Sequence, residues 1–216
     1  MSTLITSPIP AEFTARVEAM LARGGRRILG LAGGPGSGKS TLAEALKGLY
    51  GERAVVVPMD GYHLANSALQ QLGRQGRKGA PDTFDADGYV ALLQRLRQAP
   101  QTGETVYAPE YRREFEEGIA GAIAVPPEVQ LVITEGNYLL MAEGAWAGVK
   151  PLLDEAWYVG VDDDLRRERL LARHMRFGRS REDALHWIAV TDEPNAQRIA
   201  ATRHRADAVF NWGDAT

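Results

Sequence analysis

Residues 33–41, Gly33-Gly34-Pro35-Gly36-Ser37-Gly38-Lys39-Ser40-Thr41, fit the spacing G-x-x-x-x-G-K-[ST] at every fixed position. Glycines at these spacings let the backbone curl tightly and turn successive N–H groups inward. With the start of the following helix they form an anion site. In such a cradle Lys39 reaches the β- and γ-phosphates of ATP, and the Ser40 hydroxyl ligates Mg²⁺. A phosphoryl-transfer site of this kind also needs an acidic group for the metal and a base for the acceptor. Asp60 follows the apolar run 55–57, and Glu135 follows the apolar run 129–134, so each falls where an open α/β sheet presents ligand-binding groups. Asp60 is assigned to orient or deprotonate an acceptor hydroxyl, and Glu135 to the Mg²⁺ shell, directly or through water. The two roles are interchangeable at this level.

Arg166, Arg169, Arg173 and Arg176 recur at spacings of three, four and three, and Arg179 follows Gly178. On a helix these four share a face. Like charges so placed repel unless an anion meets them. The face is therefore expected to be a lid, about 165–192, that closes over ATP and spreads charge off the transferring phosphoryl group. Arg173 and Arg176 are its first catalytic candidates, and Arg169 is a nucleotide contact. The competing reading is a solvated face balanced by Asp162, Asp163, Asp164 and Glu168.

Tyr62, His63, Phe84, Tyr107, Tyr111 and Arg112 lie in segments that read as neither clear strand nor clear helix. Lys78 ends a basic loop, and Asn137 sits in the turn after Glu135. Any one of these aromatics alone is a packing residue. Together, in an inserted region of about 61–125, they form an expected acceptor site.

The elements that must position these groups alternate. Helical patterns cover 10–23, 39–50, 85–98, 165–177, 181–191 and 194–202. Continuous apolar runs cover 27–32, 55–57, 129–134, 156–161 and 208–210. Uninterrupted apolar strands alternating with helices predict an α/β fold, a parallel sheet covered on both faces. No linker divides the chain, so residues 1–216 are expected to form one domain. The net charge is −3, which disfavours nucleic acid as a partner, and with no cysteine there is no thiolate metal site or disulfide. No apolar run approaches the ~20 residues of a membrane span, and residues 1–10 lack the order of a secretory leader. A cytoplasmic protein is expected. Asn-Lys-x-Asp, which a guanine-reading GTPase needs, and Leu-Ser-Gly-Gly-Gln, which a transporter ATPase needs, are both absent. A P-loop ATPase or nucleotide-dependent regulator with no small acceptor is the alternative.

The cradle, the Asp60-Gly61-Tyr62-His63 turn, Lys78-Gly79-Ala80-Pro81-Asp82, Thr134-Glu135-Gly136-Asn137-Tyr138 and the arginine stretch together resemble the uridine kinase, phosphoribulokinase and bacterial pantothenate kinase group of P-loop kinases. They are most similar to its nucleoside/nucleotide kinase subgroup, which also carries the label "putative fructose transport system kinase". The resemblance implies a P-loop three-layer sandwich on a five-stranded parallel core, ATP and Mg²⁺ as cofactors, and a small-molecule hydroxyl as acceptor. It also implies Asp60 as catalytic base, the arginine helix as lid and the segment near 195–205 beside the nucleotide base. Homodimers are frequent in the group, so a homodimer is the assembly it suggests.

Overall fold

The structure, a computed structural model, describes residues 9–212. Most of the segment read for a leader, residues 1–8, lies outside the described residues. In chain order the strands are β1 (Arg27–Ala32), β2 (Ala54–Val56), β3 (Val106–Arg112), β4 (Glu117–Val125), β5 (Leu131–Gly136), β6 (Glu155–Gly160) and β7 (Ala208–Asn211). The helices are α1 (Ala11–Leu21), α2 (Lys39–Tyr50), α3 (Asn66–Gln71), α4 (Ala86–Thr102), α5 (Asp163–Arg176), α6 (Arg181–Trp187) and α7 (Glu193–Ala200).

Five strands form a parallel sheet in the order β2-β5-β1-β6-β7. The central strands β1 and β5 are buried almost throughout, which is why they read as unbroken apolar runs. Successive β1 side chains point to opposite faces. Leu29 and Leu31 join Phe13, Val17 and Met20 of α1 and Leu42 and Leu46 of α2. Ile28 and Ala32 join Tyr89, Leu92, Leu93 and Leu96 of α4. Each aliphatic side chain so buried contributes about 1.5–3 kcal/mol relative to exposure. The sheet is thus covered by helices on both faces, as expected.

The β1–β5 register pairs Arg27 with Leu131 through Ala32 with Gly136. The two strands therefore end level, and the loop leaving β1 starts beside the residues leaving β5. That register is what brings a phosphate cradle next to a carboxylate about a hundred residues later in the chain.

Three local expectations change. The stretch holding Tyr107, Tyr111 and Arg112 is not irregular: β3 and β4 pair antiparallel as a separate two-stranded sheet, with a bulge between Ala108 and Glu110. Pro109 has no N–H to donate at the bulge, and β4 is rich in Gly and Ala, so the strand signal is weak. The helix capped by Asp85, whose carboxylate accepts from Gly88 N, continues through Pro100 to Thr102. Pro100 cannot donate to the Leu96 carbonyl, and Arg26 Nη1 donates to that oxygen instead at 3.0 Å. Finally, α6 and α7 are joined without a break by a π-helical turn at Ile188–Asp192, just before Pro194.

Candidate active site

Residues 33–38 connect β1 to α2. Gly38 has φ 91°, and a Cβ there would stand 2.5 Å from Trp212 Nε1, so both conformation and space require glycine. Lys39, the first residue of α2, is buried. Its ammonium donates to the Gly34 carbonyl at 3.1 Å and to Asn137 Oδ1 at 3.0 Å. Ser40 Oγ donates to Glu135 Oε1 at 2.8 Å. Burial pushes the Lys39 pKa down, opposed by the nearby Glu135 and Asp60, and pushes that of Glu135 up, opposed by Lys39. Beneath them Thr134 Oγ1 donates to the Val57 carbonyl at 2.7 Å and accepts from Tyr89 OH at 2.5 Å. These bonds tie the end of β5 to the exit of β2, and so fix Glu135 relative to Asp60.

Asp60 lies on the one-turn 3-10 helix Met59–Tyr62, and its side chain is 34% exposed. Its nearest cation is Arg113, at 4.0 Å. The turn is wedged against the hairpin: a Cβ on Gly61 would come 2.3 Å from the Pro109 carbonyl oxygen, and one on Gly118 2.4 Å from the Gly61 carbonyl oxygen. His63 Nδ1 is 2.7 Å from the Asp60 carbonyl, and its ring lies 4.0 Å from Phe84 and 4.6 Å from Tyr111 between centroids. Burial lowers the His63 pKa. The neutral ring then donates from Nδ1 and leaves Nε2 as an acceptor.

A cavity of about 460 Å³ brings these groups together. Pro35 of the cradle, Asp60 and Asn137 wall it, with Lys78, Tyr111 and Arg113 beyond them and Arg173 from α5. His63 and Phe84 also line it. Arg173 makes no ion pair within 4.0 Å among the described residues. Its pKa is lowered by burial and then by Arg113.

Other expected site residues fall elsewhere. Tyr62 packs edge-on to Tyr89 at 5.5 Å. Tyr107 pairs with Ala124 in the hairpin and is 58% exposed, and Arg112 turns to Glu110 at 2.7 Å. Arg166, Arg169, Arg173 and Arg176 of α5 meet different surroundings. Arg166 is buried, bonded to Asp163 at 2.9 Å and Glu193 at 2.7 Å, and Arg167 shares Glu193 at 3.0 Å. Arg169 is half-buried and outside the cavity, and Arg176 is exposed beside the Phe177 ring. Of the five arginines of α5 only Arg173 lines the cavity, joined there by Arg179 beyond the helix.

Arg113 was not singled out from sequence, yet it enters the cavity where Arg112 does not. Arg113 is the first residue of the turn after β3, so strand alternation carried no signal for it. Asp192 was missed as well: it is buried on the π turn, 2.7 Å from His174 Nε2.

A second cavity, about 660 Å³, lies along the cradle at Gly34 and Ser37, with Arg166, Ala196, Arg203 and Trp212 around it. Ser37 Oγ, Arg166 Nη1 and Trp212 Nε1 are buried there without a hydrogen-bond partner among the described residues. Unpaired donors beside a phosphate cradle fit a nucleotide. Among the described residues no group of three or more His, Cys, Asp or Glu gathers as a metal site. One carboxylate and one hydroxyl, Glu135 and Ser40, fit Mg²⁺, which binds through few protein ligands and through substrate phosphates.

A cradle of this geometry on this sheet defines a P-loop kinase, a phosphotransferase with a hydroxyl acceptor. The chain belongs to the Phosphoribulokinase / Uridine kinase family, whose profile matches residues 28–216. The crystal structure of a "putative fructose transport system kinase" from Silicibacter sp. TM1040 is 36% identical, covers 91% of this chain and 97% of its own, and superposes with TM-score 0.81. The ATP-dependent kinase-like protein notR' of Aspergillus versicolor is 36% identical over 67% of this chain and 88% of its own. The uncharacterized protein YggC of Escherichia coli is 33% identical over 85% of this chain and 77% of its own. No helix among the described residues is long and apolar enough to cross a membrane.

Proposed function

We propose that this chain transfers the γ-phosphoryl group of ATP·Mg²⁺ to a hydroxyl of a small molecule of the sugar, nucleoside or pantothenate kind. The observation that carries this is one cavity shared by the phosphate cradle and a half-exposed carboxylate. Pro35 and Asn137, the partner of Lys39, wall it together with Asp60. Bound Mg²⁺ would neutralise phosphate charge, held on the protein side by Ser40 and Glu135. Asp60 takes the acceptor proton as the hydroxyl oxygen bonds to phosphorus and the bridging P–O bond to ADP breaks. Lys39 supplies a fixed positive charge to the phosphates, and Arg173 a second, desolvated one. His63 Nε2, as an acceptor, and Asn137 orient the hydroxyl-bearing molecule. Arg169 and Arg176 join the nucleotide when the lid, about 165–192, closes, and the segment 195–205 with Trp212 flanks the base. The whole chain works as one domain, in the cytoplasm, and a homodimer is its assembly.

The test is ADP release with ATP·Mg²⁺ across nucleosides, pentoses, hexoses, pantothenate and glycerate, against a blank without acceptor. A rise with one acceptor, and a product heavier by one phosphoryl group, is the expected result. Release that no acceptor increases would favour an ATPase instead.

A further inference from the structure

The acceptor end of the cavity holds two cations, Lys78 and Arg113, whose charge no carboxylate among the described residues fully answers. Lys78 Nζ donates to Asn66 Oδ1 at 2.6 Å and to the Glu116 main-chain carbonyl, both neutral oxygens, and lies 5.6 Å from the centre of the Tyr111 ring. Among the described residues no carboxylate comes within 4.0 Å of it, although burial has removed part of its water. Glu117 and Glu116 stand near enough to oppose the lowering that burial imposes on Lys78. Neither is its ion-pair partner, and Glu117 Oε1 instead accepts from the Asn66 N–H at 2.9 Å. Arg113 reaches only Asp60, at the 4.0 Å limit, with the Phe177 ring 5.6 Å away. Asp60 is the group needed for the acceptor hydroxyl. Burial raises the Tyr111 phenol to about 12, so it remains a neutral donor near pH 7.

The backbone is bent to make this arrangement. Glu116 is the one non-glycine residue with positive φ, 51°, among the described residues, and its carbonyl is the one that receives Lys78. A non-glycine residue held in the left-handed region costs energy and is found where the surroundings enforce it, often at binding sites. A partly desolvated Lys78 facing neutral oxygens, with the Tyr111 phenol and the weakly paired Arg113 lining the same cavity, forms a receptor for an oxyanion.

Resting on the kinase reading above, we propose that the acceptor is not a neutral polyol or nucleoside but carries an anionic group, a carboxylate or phosphate, seated between Lys78 and Arg113 while its hydroxyl meets Asp60. A flat carboxylate and a tetrahedral phosphate offer the same charge-assisted contacts, so the shared chemistry is the oxyanion.

Matched pairs separate the readings: glycerol with glycerate, ribose with ribose 5-phosphate, and pantothenol with pantothenate, each assayed for kcat/KM with ATP·Mg²⁺. The expected result is an anionic member preferred about 100-fold or more over its neutral partner. The pair that shows it tells carboxylate from phosphate. Lys78→Gln and Arg113→Gln should each cut that within-pair ratio by about tenfold or more, while Lys78→Arg keeps most of it. The Arg113 side chain is 43% exposed, so its variant tests the idea even where Lys78→Gln folds poorly. Phosphorylation confined to neutral members, or a ratio that neither substitution moves, overturns this inference and leaves the kinase reading standing. ADP release raised by no member of any pair overturns both.

Discussion

Ser40 Oγ donates to Glu135 Oε1 across 2.8 Å, joining the first turn of α2 to the end of β5. Both atoms are oxygens suited to a hard cation, and Lys39, the neighbour of Ser40 in sequence, is sunk beside the same carboxylate. On the proposed reading, the bond would hold the metal-binding pair in place before any metal arrives.

Glu135→Gln keeps the shape and the hydrogen bond but removes the charge. The Mg²⁺ concentration for half-maximal activity should rise by about 10–100-fold. A magnesium titration of initial rate reads this directly. An unchanged midpoint would mean that Glu135 serves only to hold α2 against β5.

Asp60→Asn should leave ATP affinity near that of the parent while phosphoryl transfer falls by about 10²–10⁴. Asp60 is half-exposed on the open cavity and shares no hydrogen bond with the cradle, so nucleotide binding has no reason to depend on it. Isothermal titration with a non-hydrolysable ATP analogue, set beside single-turnover rates, separates the two effects. Collapse of nucleotide affinity would move Asp60 into the metal shell and exchange its role with Glu135.

Lys39→Ala removes the point charge in the cradle, and turnover should fall by at least about 100-fold. Asn137→Ala strips one of the two oxygens that hold the buried ammonium and should cost about 1.5–3 kcal/mol, or roughly tenfold to a hundredfold in kcat/KM. Near-normal turnover of both variants would remove the cradle from the mechanism.

Much of this site was legible in the sequence because the cradle, β1 and α2 are local: the motif, its strand and its helix are contiguous, and β1 and α2 fall at the residues expected. Asp60 and Glu135 were legible because strand ends are marked by the change from apolar to polar. The hairpin was not, since a Pro109 bulge and a Gly- and Ala-rich β4 carry little strand signal. That gap hid Arg113, which stands in the turn between β3 and β4 and whose direction is set by the hairpin's closure. The partners of the arginine helix were illegible for a different reason. Spacing on a helix says which residues share a side, and only the tertiary arrival of Glu193 on α7 decides that Arg166 is already neutralised.

Protonation supplies a further prediction. Burial depresses the His63 pKa below its usual value of about 6.5, so the unfolded chain binds this proton more readily than the folded one. The contribution of His63 to stability is therefore full above about pH 6.5 and is lost as pH falls through that value toward the lower folded pKa. The melting temperature of the parent should drop more steeply between pH 7.5 and 5.5 than that of His63→Gln, which has no proton to gain. Parallel curves for the two proteins would show that His63 is not held neutral.

The position of Asp60 depends on glycine contacts made far from it in sequence. A methyl at Gly118 would lie 2.4 Å from the Gly61 carbonyl oxygen, and backbone on both sides leaves no flexible end to give way. Gly118→Ala must therefore push the Met59–Tyr62 turn and the hairpin apart, displacing the carboxylate without touching the cradle. A displacement near 1 Å costs about 100-fold in rate at a site that works by positioning. kcat should fall by about that factor with the KM for ATP within about twofold of the parent. Steady-state kinetics with the best acceptor checks it, and a melting curve confirms the fold. If kcat stayed at the parental value, the hairpin would have no part in placing Asp60. If kcat and ATP affinity fell together, the substitution would have disturbed the sheet rather than the turn.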